Sequence, residues 1–587
     1  MATEAPVGDL SSQLEKLNVG KLEAFPNSHP DLNPVDVYRS HIASLLHDVS
    51  GVEKSLIYNA LQWTATLENG DLLLPVPALR FPESPLIEKP VPFNNGSFIQ
   101  FWFKAAPLAQ LVIPQIQQRT EDFGKNPRNG LRDPQDPSKG QKHMIVTRIN
   151  YLGDWGKQYG LLALGYEKYG DEKALETDPI NHLFQVYVKI NNDLAEEKEK
   201  IAALEKEGKD ASELKNEGLD EQARRYFKAM NDGEQAALAQ WKKFRDLSIV
   251  RYKQTYAQLN VTFDEYSGES QVSEEDMAAS AKTLEDKGIS EVSDGAVVIN
   301  FQKHVAGKAG KSLEKPVIKK SDGTALYLTR DISELLHREK KYNFDHMIYV
   351  VASQQDLHLK QLFKIIELMG YTETAKKVQH VNFGMVLGMS TRKGTVKFLS
   401  DIIRDVSDHM HDVMRKNEEK YKQVENPDAV AETLGISAIM VQDMTGKRQN
   451  SYTFSLEAMT SFEGDTGPYL QYAHARLSSI MRKANIPEAD LVNADLSLLS
   501  EKHATELIRM LSQYPDTVQN TLKTLEPTTV LTYLFKLTHV LSSSYDVLRV
   551  VGSEPEVLKA RLALYYSTRT VLANGMRLLG LSPVQRM

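Results

Sequence analysis

The stretch Ile348-Tyr-Val-Val-Ala-Ser-Gln-Gln-Asp-Leu-His358 decides the fold of this chain. Its first five residues form an apolar run rich in β-branched side chains, which predicts a buried strand. A helical pattern follows over Leu359–Met369, and a second strand pattern occupies Val381–Gly384. Because strands that alternate with helices build parallel sheets, residues 321–400 predict a doubly wound, Rossmann-type α/β fold.

Polar residues follow the first of these strands directly. Open α/β sheets bind ligands at the carboxyl ends of their strands, and Gln355 and His358 would lie there. Gln355 could exchange hydrogen bonds with a ligand amine, and His358 could face a phosphate. The alternative is that either residue simply caps the helix that follows.

Tyr327 and Asp331 form a second candidate site. They are four residues apart, so on a helix they share a face. A phenol and a carboxylate suit a planar cation such as guanidinium, whose fork of N–H donors matches a carboxylate. From spacing alone, a surface ion pair between Asp331 and a neighbouring Lys or Arg is the simpler interpretation.

The segment 383–395 combines glycines, hydroxyl groups and two adjacent cations. Glycine permits close approach of a backbone to a ligand, and cations stabilise the charge that develops on a reacting phosphate. A phosphate-binding loop and an ordinary basic turn are both consistent with this pattern. The residues that could contribute to a phosphate site are Gly384, Met385, Ser390, Arg392 and Lys393.

The flanking regions predict two further domains and an insertion. Residues 36–125 read as α/β, with an aromatic strand at Phe98–Phe103, whereas residues after about 401 read as a helical bundle. Residues 194–230 are rich in Glu, Lys and Ala and predict long solvated helices. We expect domains at 1–127, 128–408 (with a helical insertion at about 170–290) and 409–587.

The composition excludes several classes of protein. With 587 residues the chain is too long for one core, and no apolar run approaches the ~18 residues that span a membrane. The absence of cysteine excludes disulfides and thiolate metal sites, and it favours a reducing compartment such as the cytoplasm. A net charge of −8 argues against a protein that coats nucleic acid without specificity, but it allows local RNA-binding patches.

The C-terminal end is basic, because no acidic residue follows Glu556. The cations after that position are Lys559, Arg561, Arg569, Arg577 and Arg586. They could complement the dipole of a last helix, or they could face phosphates. The sequence leaves both interpretations open.

Taken together, these segments resemble the arginyl-tRNA synthetases of the eukaryotic cytoplasmic, fungal type. These are class I enzymes that condense arginine with ATP and transfer the arginyl group to the tRNA 3′ end. The resemblance covers nearly the whole chain. It rests also on the stretches Tyr151–Gly160, Asp178–Phe184, Tyr266–Ser270, Asp322–Asp331, Thr466–Arg476 and Gly575–Met587.

The resemblance implies roles for matching residues. Tyr327, Asp331 and Gln355 would hold arginine, and the segment containing Gly384 would bind ATP with its associated Mg²⁺, with His358 on the ATP side and no resident metal. The residues that would contact tRNA are Tyr472, Arg476, Tyr545 and Met587 at the anticodon and Asn95, Phe98 and Gln100 at the D-loop. The resemblance further implies a monomer that acts in the cytoplasm, with a mitochondrial form as an alternative, and no membrane partner.

The chain departs from the family pattern in two places. None of its 15 histidines begins the H-x-G-H motif, and the match stops at Val146 and resumes at Thr147. A strand–loop–helix unit of roughly 30 or more residues would be missing there. The K-M-S-K loop reads Gly388-Met-Ser-Thr391, without either lysine. We therefore expect an arginine–tRNA ligase whose activation step is impaired, with a non-catalytic tRNA-binding or scaffold variant as the alternative. We also expect a parallel sheet that has lost a central strand and its covering helix, and that therefore exposes apolar surface.

Overall fold

The computed structural model describes residues 10–26, 28–64, 69–75, 84–88, 91–93, 98–126, 146–320, 327–387 and 398–587. Residues 1–144 and 386–587 form one compact unit, and residues 145–385 form a second. The three-domain boundaries given above stay predictions. Within the described ranges, no helix combines the length and the apolar character that crossing a membrane requires.

The N-terminal part of the first unit is a small antiparallel sheet with helices, as residues 36–125 predict. Its strands pair in the order β1-β2-β4-β3. Helix α2 begins where Asn33 accepts a hydrogen bond from the backbone of Val35 and Pro34 occupies the first turn. The elements are α1 (Leu10–Lys16), α2 (Pro34–Ser50), α3 (Lys54–Ala60), β1 (Gln62–Trp63), β2 (Leu72–Leu74), β3 (Val91–Phe93), β4 (Phe98–Phe101) and α4 (Ala105–Arg119).

The second unit alternates strands and helices. Its strands are β5 (Ile149–Leu152), β6 (Glu265–Gly268), β7 (Ser290–Ser293), β8 (Ala296–Ile299), β9 (Val317–Lys319), β10 (Met347–Ala352) and β11 (Val378–Phe383). Its helices are α5 (Lys157–Tyr169), α6 (Glu172–Thr177), α7 (Pro179–Lys206), α8 (Ser212–Glu217), α9 (Leu219–Asn231), α10 (Gln235–Gln258), α11 (Glu274–Asp286), α12 (Phe301–His304), α13 (Gly307–Ser312), α14 (Tyr327–Tyr342), α15 (Asp356–Leu368) and α16 (Thr372–Lys377). The helices expected over 194–230 are confirmed.

Strands β10 and β11 pair in parallel, and helix α15 lies between them in the chain. This confirms the strand–helix–strand unit that the opening stretch predicts. Strands β5 and β6 form a second parallel pair, whereas β7, β8 and β9 are antiparallel. The described parallel strands of this unit therefore pair as separate two-stranded ladders, with helices between them in the chain, as in a Rossmann-like domain.

One face of strand β10 is covered and the other is not. Leu362 and Ile366 of α15 are fully buried and pack with Tyr349 and Val351 of the strand. On the opposite face Val350 is 67% exposed, although strands of parallel sheets are normally buried on both faces. The described residues thus leave apolar sheet surface open, as the interrupted family match leads one to expect.

The C-terminal part of the first unit is a helical bundle. It contains β12 (Val386–Leu387), α17 (Leu399–Arg415), α18 (Glu418–Tyr421), α19 (Pro427–Met444), β13 (Tyr452–Thr453), α20 (Leu456–Met459), α21 (Gly467–Ala484), α22 (Lys502–Ser512), α23 (Tyr514–Thr524), α24 (Thr528–Ser544) and α25 (Pro555–Leu578). The expectation that everything after about residue 401 is helical is wrong at β13, which pairs in parallel with β12. Tyr and Thr favour extended backbone, and β12 offers them ladder partners.

Candidate active site and RNA-binding surface

Helices α14 and α15 bring together two candidate sites that the sequence leaves separate. Oδ2 of Asp331 lies 2.5 Å from Nε2 of His358, and both side chains are about one-quarter exposed. The partner of Asp331 is therefore a histidine on the next helix, not a neighbouring surface Lys or Arg. The pair is open to solvent, so a ligand cation can reach the carboxylate.

Tyr327 and Gln355, the other two predicted arginine-binding residues, are exposed. The side chain of Tyr327 stands at the first described turn of α14 and is 58% exposed. Gln355 ends the 3-10 turn that follows strand β10, at the carboxyl end of the sheet. Both positions leave their polar groups available to a small ligand.

The surroundings of Asp331 carry more carboxylates than the sequence analysis identified. Glu269 pairs with Arg330 at 3.0 Å, and Glu334 pairs with Arg338 at 2.8 Å. Burial raises the pKa of Glu269, and the charge of Asp331 contributes in the same direction. Such mutual repulsion between carboxylates is relieved when a cation enters the site.

The phenol of Tyr151 is also affected by these carboxylates. Burial raises the pKa of its phenol, and the charges of Asp331, Glu334 and Glu269 raise it further. The guanidinium of Arg338 lies over its ring at 4.8 Å. The stretch around Tyr266 supplies a sequence signal for Glu269, whereas Glu334 carries none beyond its place on helix α14.

A buried carboxylate, Asp154, holds the loop that carries Glu269. Its Oδ2 accepts from Nε of Arg245 at 2.6 Å, and its Oδ1 accepts from the backbone N–H of Ser270 at 2.9 Å. A side chain at Gly268 would collide with this carboxylate, because an added Cβ would lie 2.4 Å from its oxygens. The stretches Gly153-Asp154 and Ser267–Ser270 therefore together determine the position of Glu269.

Strand β11 leads into the start of the predicted phosphate segment. Asn382, near the end of that strand, donates to Asp356 at 2.8 Å. Gly384 and Met385 follow, and both are at least partly exposed. Ser390, Arg392 and Lys393 lie outside the described residues, so their phosphate-binding role stays a prediction.

The predicted anticodon-binding side chains of α21 and α24 form a cluster. The guanidinium of Arg476 lies 3.7 Å from the ring centroid of Tyr545, and Tyr472 is exposed one turn earlier on the same helix as Arg476. Burial raises the pKa of the Tyr545 phenol. Among the described residues its hydroxyl has no hydrogen-bond partner. The exposed ring of Tyr472 and the exposed guanidinium of Arg476, stacked on Tyr545, form a surface on which unpaired bases can stack.

Met587 and the N-terminal candidates lie elsewhere in the first unit. Met587 packs against the cluster of Met410, Ala431 and Leu434. Gln100 on strand β4 is only 4% exposed, and within the described part of the chain its Nε2 donor has no acceptor. A buried unpaired amide is costly, so an incoming acceptor would stabilise it. Asn95 and the side chain of Phe98 lie outside the described residues.

Two family models match this chain. The model described as "tRNA synthetases class I (R), catalytic domain" matches residues 142–456, and the "DALR anticodon binding domain" matches residues 470–587. The first match alone covers more than half of the chain, and it contains Tyr327, Asp331, Gln355 and His358.

Relatives are similar over most or all of their lengths. The cytoplasmic arginine–tRNA ligase of Saccharomyces cerevisiae is 49% identical over 99% of this chain and 100% of its own length. The probable cytoplasmic enzyme of Schizosaccharomyces pombe is 46% identical over the whole of both chains. The mitochondrial arginine–tRNA ligase of Saccharomyces cerevisiae is 42% identical over 94% of this chain and 89% of its own length.

Solved structures share the fold. The arginyl-tRNA synthetase of Thermus thermophilus superposes with a TM-score of 0.68 at 19% identity, over 90% of this chain and 96% of that one. The Plasmodium falciparum enzyme gives 0.65 at 18% identity, over 90% and 94%. With an open acidic site, a stacking surface on the bundle and these full-length relatives, the chain belongs to the arginyl-tRNA synthetase family of class I aminoacyl-tRNA synthetases.

Proposed function

We propose that this chain serves the ATP-dependent ligation of arginine to tRNA. The observation that carries the proposal is the carboxylate of Asp331, which is about one-quarter exposed, contacts His358 and has Glu269 and Glu334 nearby. Glu269 and Glu334 are balanced by Arg330 and Arg338, which leaves the accessible carboxylate of Asp331 to bind a guanidinium in preference to a neutral side chain.

The arginine substrate would occupy the start of helix α14. Its guanidinium would pair with Asp331 in place of His358, while the phenol of Tyr327 provides a second contact. The amide of Gln355 would receive the α-amino group at the carboxyl end of strand β10. The displaced imidazole of His358 would then be free to face the ATP substrate.

ATP and its Mg²⁺ are the co-substrates in this proposal. Gly384 and Met385 would contact the nucleotide, and Ser390, Arg392 and Lys393 would supply a hydroxyl and two cations to its phosphates. Mg²⁺ takes most of its oxygen ligands from phosphates and water, so it needs few protein ligands of its own. We further propose that the chain acts as a monomer in the cytoplasm, by analogy with the relatives described as cytoplasmic.

The tRNA would be held in the first unit. Tyr472, Arg476 and Tyr545 would stack with unpaired anticodon bases, and Met587, which packs at a separate place in the same unit, would add a further contact. At the N-terminal domain, Asn95, Phe98 and Gln100 would contact the D-loop. Gln100 is 4% exposed, so its part in this contact requires that the side chain becomes accessible when RNA binds.

We also propose that this chain lacks a segment of its relatives at Val146–Thr147. The alignment with the Saccharomyces cerevisiae cytoplasmic enzyme spans 626 positions, whereas the chain has 587 residues, so at least 39 positions have no counterpart. With the Schizosaccharomyces pombe enzyme the shortfall is at least 48 positions out of 635. Each of these shortfalls is large enough to contain the strand–loop–helix unit that carries the H-x-G-H motif.

This shortfall favours a second candidate function, a tRNA-binding protein that does not activate arginine. The first unit carries the proposed tRNA contacts and an extensive buried core, and neither depends on the junction at Val146. In such a chain the activation step would lack the histidines that stabilise phosphate charge, and each lost donor of this kind costs on the order of 3–4 kcal/mol.

The full chain tests both candidates in one pair of measurements. We expect it to bind an arginine tRNA, with arginine-dependent ATP–pyrophosphate exchange far below that of a variant in which the missing segment is restored. In the restored variant, Asp331→Ala should abolish exchange, and Glu339→Ala, on the same helix, is the matched control. Failure to bind tRNA would overturn the proposal, whereas strong exchange by the unaltered chain would exclude the non-catalytic variant.

A further inference from the structure

The last residues of the chain are bound along helix α21 through side-chain hydrogen bonds. Nε2 of Gln471 donates to the carbonyl of Ser582 at 2.9 Å, and its Oε1 accepts from the backbone N–H of Val584 at 2.9 Å. One amide thus supplies the donor and the acceptor that a neighbouring β-strand would supply. Gln471 also donates to Ser437 of helix α19 at 2.8 Å, which fixes its orientation.

His474, one turn further along α21, provides a third contact to the same segment. Its Nδ1 lies 2.8 Å from the carbonyl oxygen of Val584. A carbonyl can only accept, so Nδ1 must carry the proton. Burial lowers the pKa of His474 to about 4, and Arg569 and Arg577 contribute to the same shift. The ring is therefore a neutral donor near pH 7, and the segment Ser582–Met587 (the C-terminal tail) is held in one register.

This register places the tail against a cation at the end of helix α21. Nη1 of Arg482 donates to the carbonyl of Gln585 at 3.1 Å, and Arg586 is the next residue of the tail. This hydrogen bond to the residue before Arg586 keeps the backbone of Arg586 close to Arg482. Burial lowers the pKa of Arg482, and the positive charges of Arg586 and Arg569 contribute in the same direction. Both side chains are exposed.

The three arginines of helix α25 have acidic partners. Arg561 pairs with Glu501 and Arg569 pairs with Glu488, both at 2.6 Å, and Arg577 lies 3.4 Å from Glu121. Throughout the described ranges, no carboxylate lies within ion-pair distance of Arg482 or Arg586. Arg482 and Arg586 therefore differ from the arginines of α25, whose charges are partly compensated by a neighbouring carboxylate.

We propose that Arg482 and Arg586 bind a backbone phosphate of the RNA, and that Gln471 and His474 are positioning residues that hold Arg586 beside Arg482. The proposal rests on the proposed function, since it takes the α21 surface as the place where tRNA binds. A phosphodiester relieves the repulsion of two guanidinium groups and accepts two hydrogen bonds from each. Arg482 lies about 9 Å along the helix axis and about 120° around it from Arg476, so a phosphate held there would belong to a part of the RNA beside the stacked bases.

The charge test uses the full chain and the anticodon stem-loop RNA of an arginine tRNA. We expect Arg482→Ala and Arg586→Ala each to weaken binding roughly three- to tenfold and to reduce the slope of log K against log salt by about 0.7. Lys483→Ala is the matched control, because it removes the same charge from the adjacent exposed position. Equal losses in all three variants, or an unchanged salt slope, would overturn the proposal.

The positioning test separates the tail from general stability. We expect His474→Ala and Gln471→Ala each to weaken RNA binding as much as Arg586→Ala does. In a chain that already carries Arg586→Ala, neither should weaken binding further. In a chain that already carries either of them, Arg482→Ala should cause a smaller loss of affinity than in the unaltered chain. His474→Asn, which keeps a donor near the position of Nδ1, should restore binding. Arg586→Gln, which leaves Met587 and its contacts with Met410, Ala431 and Leu434 in place, tests the same point, and wild-type affinity in that variant would exclude the proposal.

The two proposals fail in different ways. If the unaltered chain binds no arginine tRNA stem-loop at any salt concentration, the proposed function fails. If it binds the RNA but the affinity and salt slope do not respond to Arg482 and Arg586, only the phosphate site fails.

Discussion

Two apolar regions of this molecule contrast in burial. In the first unit, Leu507 of α22 and Leu534 of α24 are completely buried within a core that continues into the N-terminal domain. In the second unit, Ile348 and Val350 of strand β10 are 42% and 67% exposed. Both regions have sequences typical of interior elements. The difference shows that an apolar sequence pattern predicts a helix or a strand, whereas the neighbouring helices and strands determine whether its apolar face is buried.

The largest effect should come from completing the second unit. Inserting the corresponding relative's segment between Val146 and Thr147 should raise arginine-dependent ATP–pyrophosphate exchange by more than about 1000-fold, because several phosphate-stabilising donors return together. Backbone amides of β10 should become protected from hydrogen exchange at the same time. An insertion that improves neither quantity would show that the open face of β10 has another origin.

The first unit should be most sensitive where a buried charge loses its partner. Nη2 of Arg509 donates to Asp71 at 2.8 Å, and both side chains are buried between the N-terminal domain and the bundle. Burial raises the pKa of Asp71 to about 6, so this carboxylate depends on its arginine. We expect Arg509→Ala to lower the free energy of unfolding by about 3–5 kcal/mol in urea titrations. Arg549→Ala, at an exposed position, is the control and should change it by less than about 0.5 kcal/mol.

A pair of truncations on the two sides of strand β10 sharpens the comparison inside the second unit. Leu362 of α15 is fully buried against the covered face, so Leu362→Ala should cost about 2–4 kcal/mol of unfolding free energy. Val350→Ala, on the open face, should cost less than about 1 kcal/mol. Denaturant unfolding, followed by the fluorescence of the tryptophans of the second unit, Trp155 and Trp241, measures the change in unfolding free energy for each variant. Similar costs would mean that Val350 is buried in solution by something the described residues do not include.

The sequence predicts the fold well where the signal is local. The strand at Ile348, the helix after it and the strand at Val381 follow from hydrophobic periodicity, which the backbone imposes within a few residues. The pairing of β12 with β13 does not follow from any such signal, because its two-residue strands are 65 residues apart. Pairing of that kind depends on tertiary packing around α17 and α19.

The sequence identifies residues of the candidate site, but it does not predict which of them contact one another. Tyr327 and Asp331 share a face of α14, as their spacing requires. The contact between Asp331 and His358 depends on how α14 packs on α15, and the roles of Glu269 and Asp154 depend on a loop far away in sequence. The tail contacts of Gln471 join residues more than 100 positions apart. A linear pattern carries no information about such distances.

The smallest expected effect is a pH dependence of the first unit that arises from His474. Its pKa is lowered from 6.5 to about 4 in the folded chain, chiefly by burial and further by Arg569 and Arg577, so the unfolded chain binds a proton more readily between those values. Stability is therefore fully present above the unfolded pKa and is lost as the pH falls, by about 1 kcal/mol between pH 6.5 and about pH 5.5. His474→Asn retains a donor for Val584 and cannot titrate, so its unfolding free energy should fall by that much less over the same interval. Parallel pH profiles for the two proteins would show that this ring is protonated as readily in the folded chain as in the unfolded one, and hence that the tail does not bury it in solution.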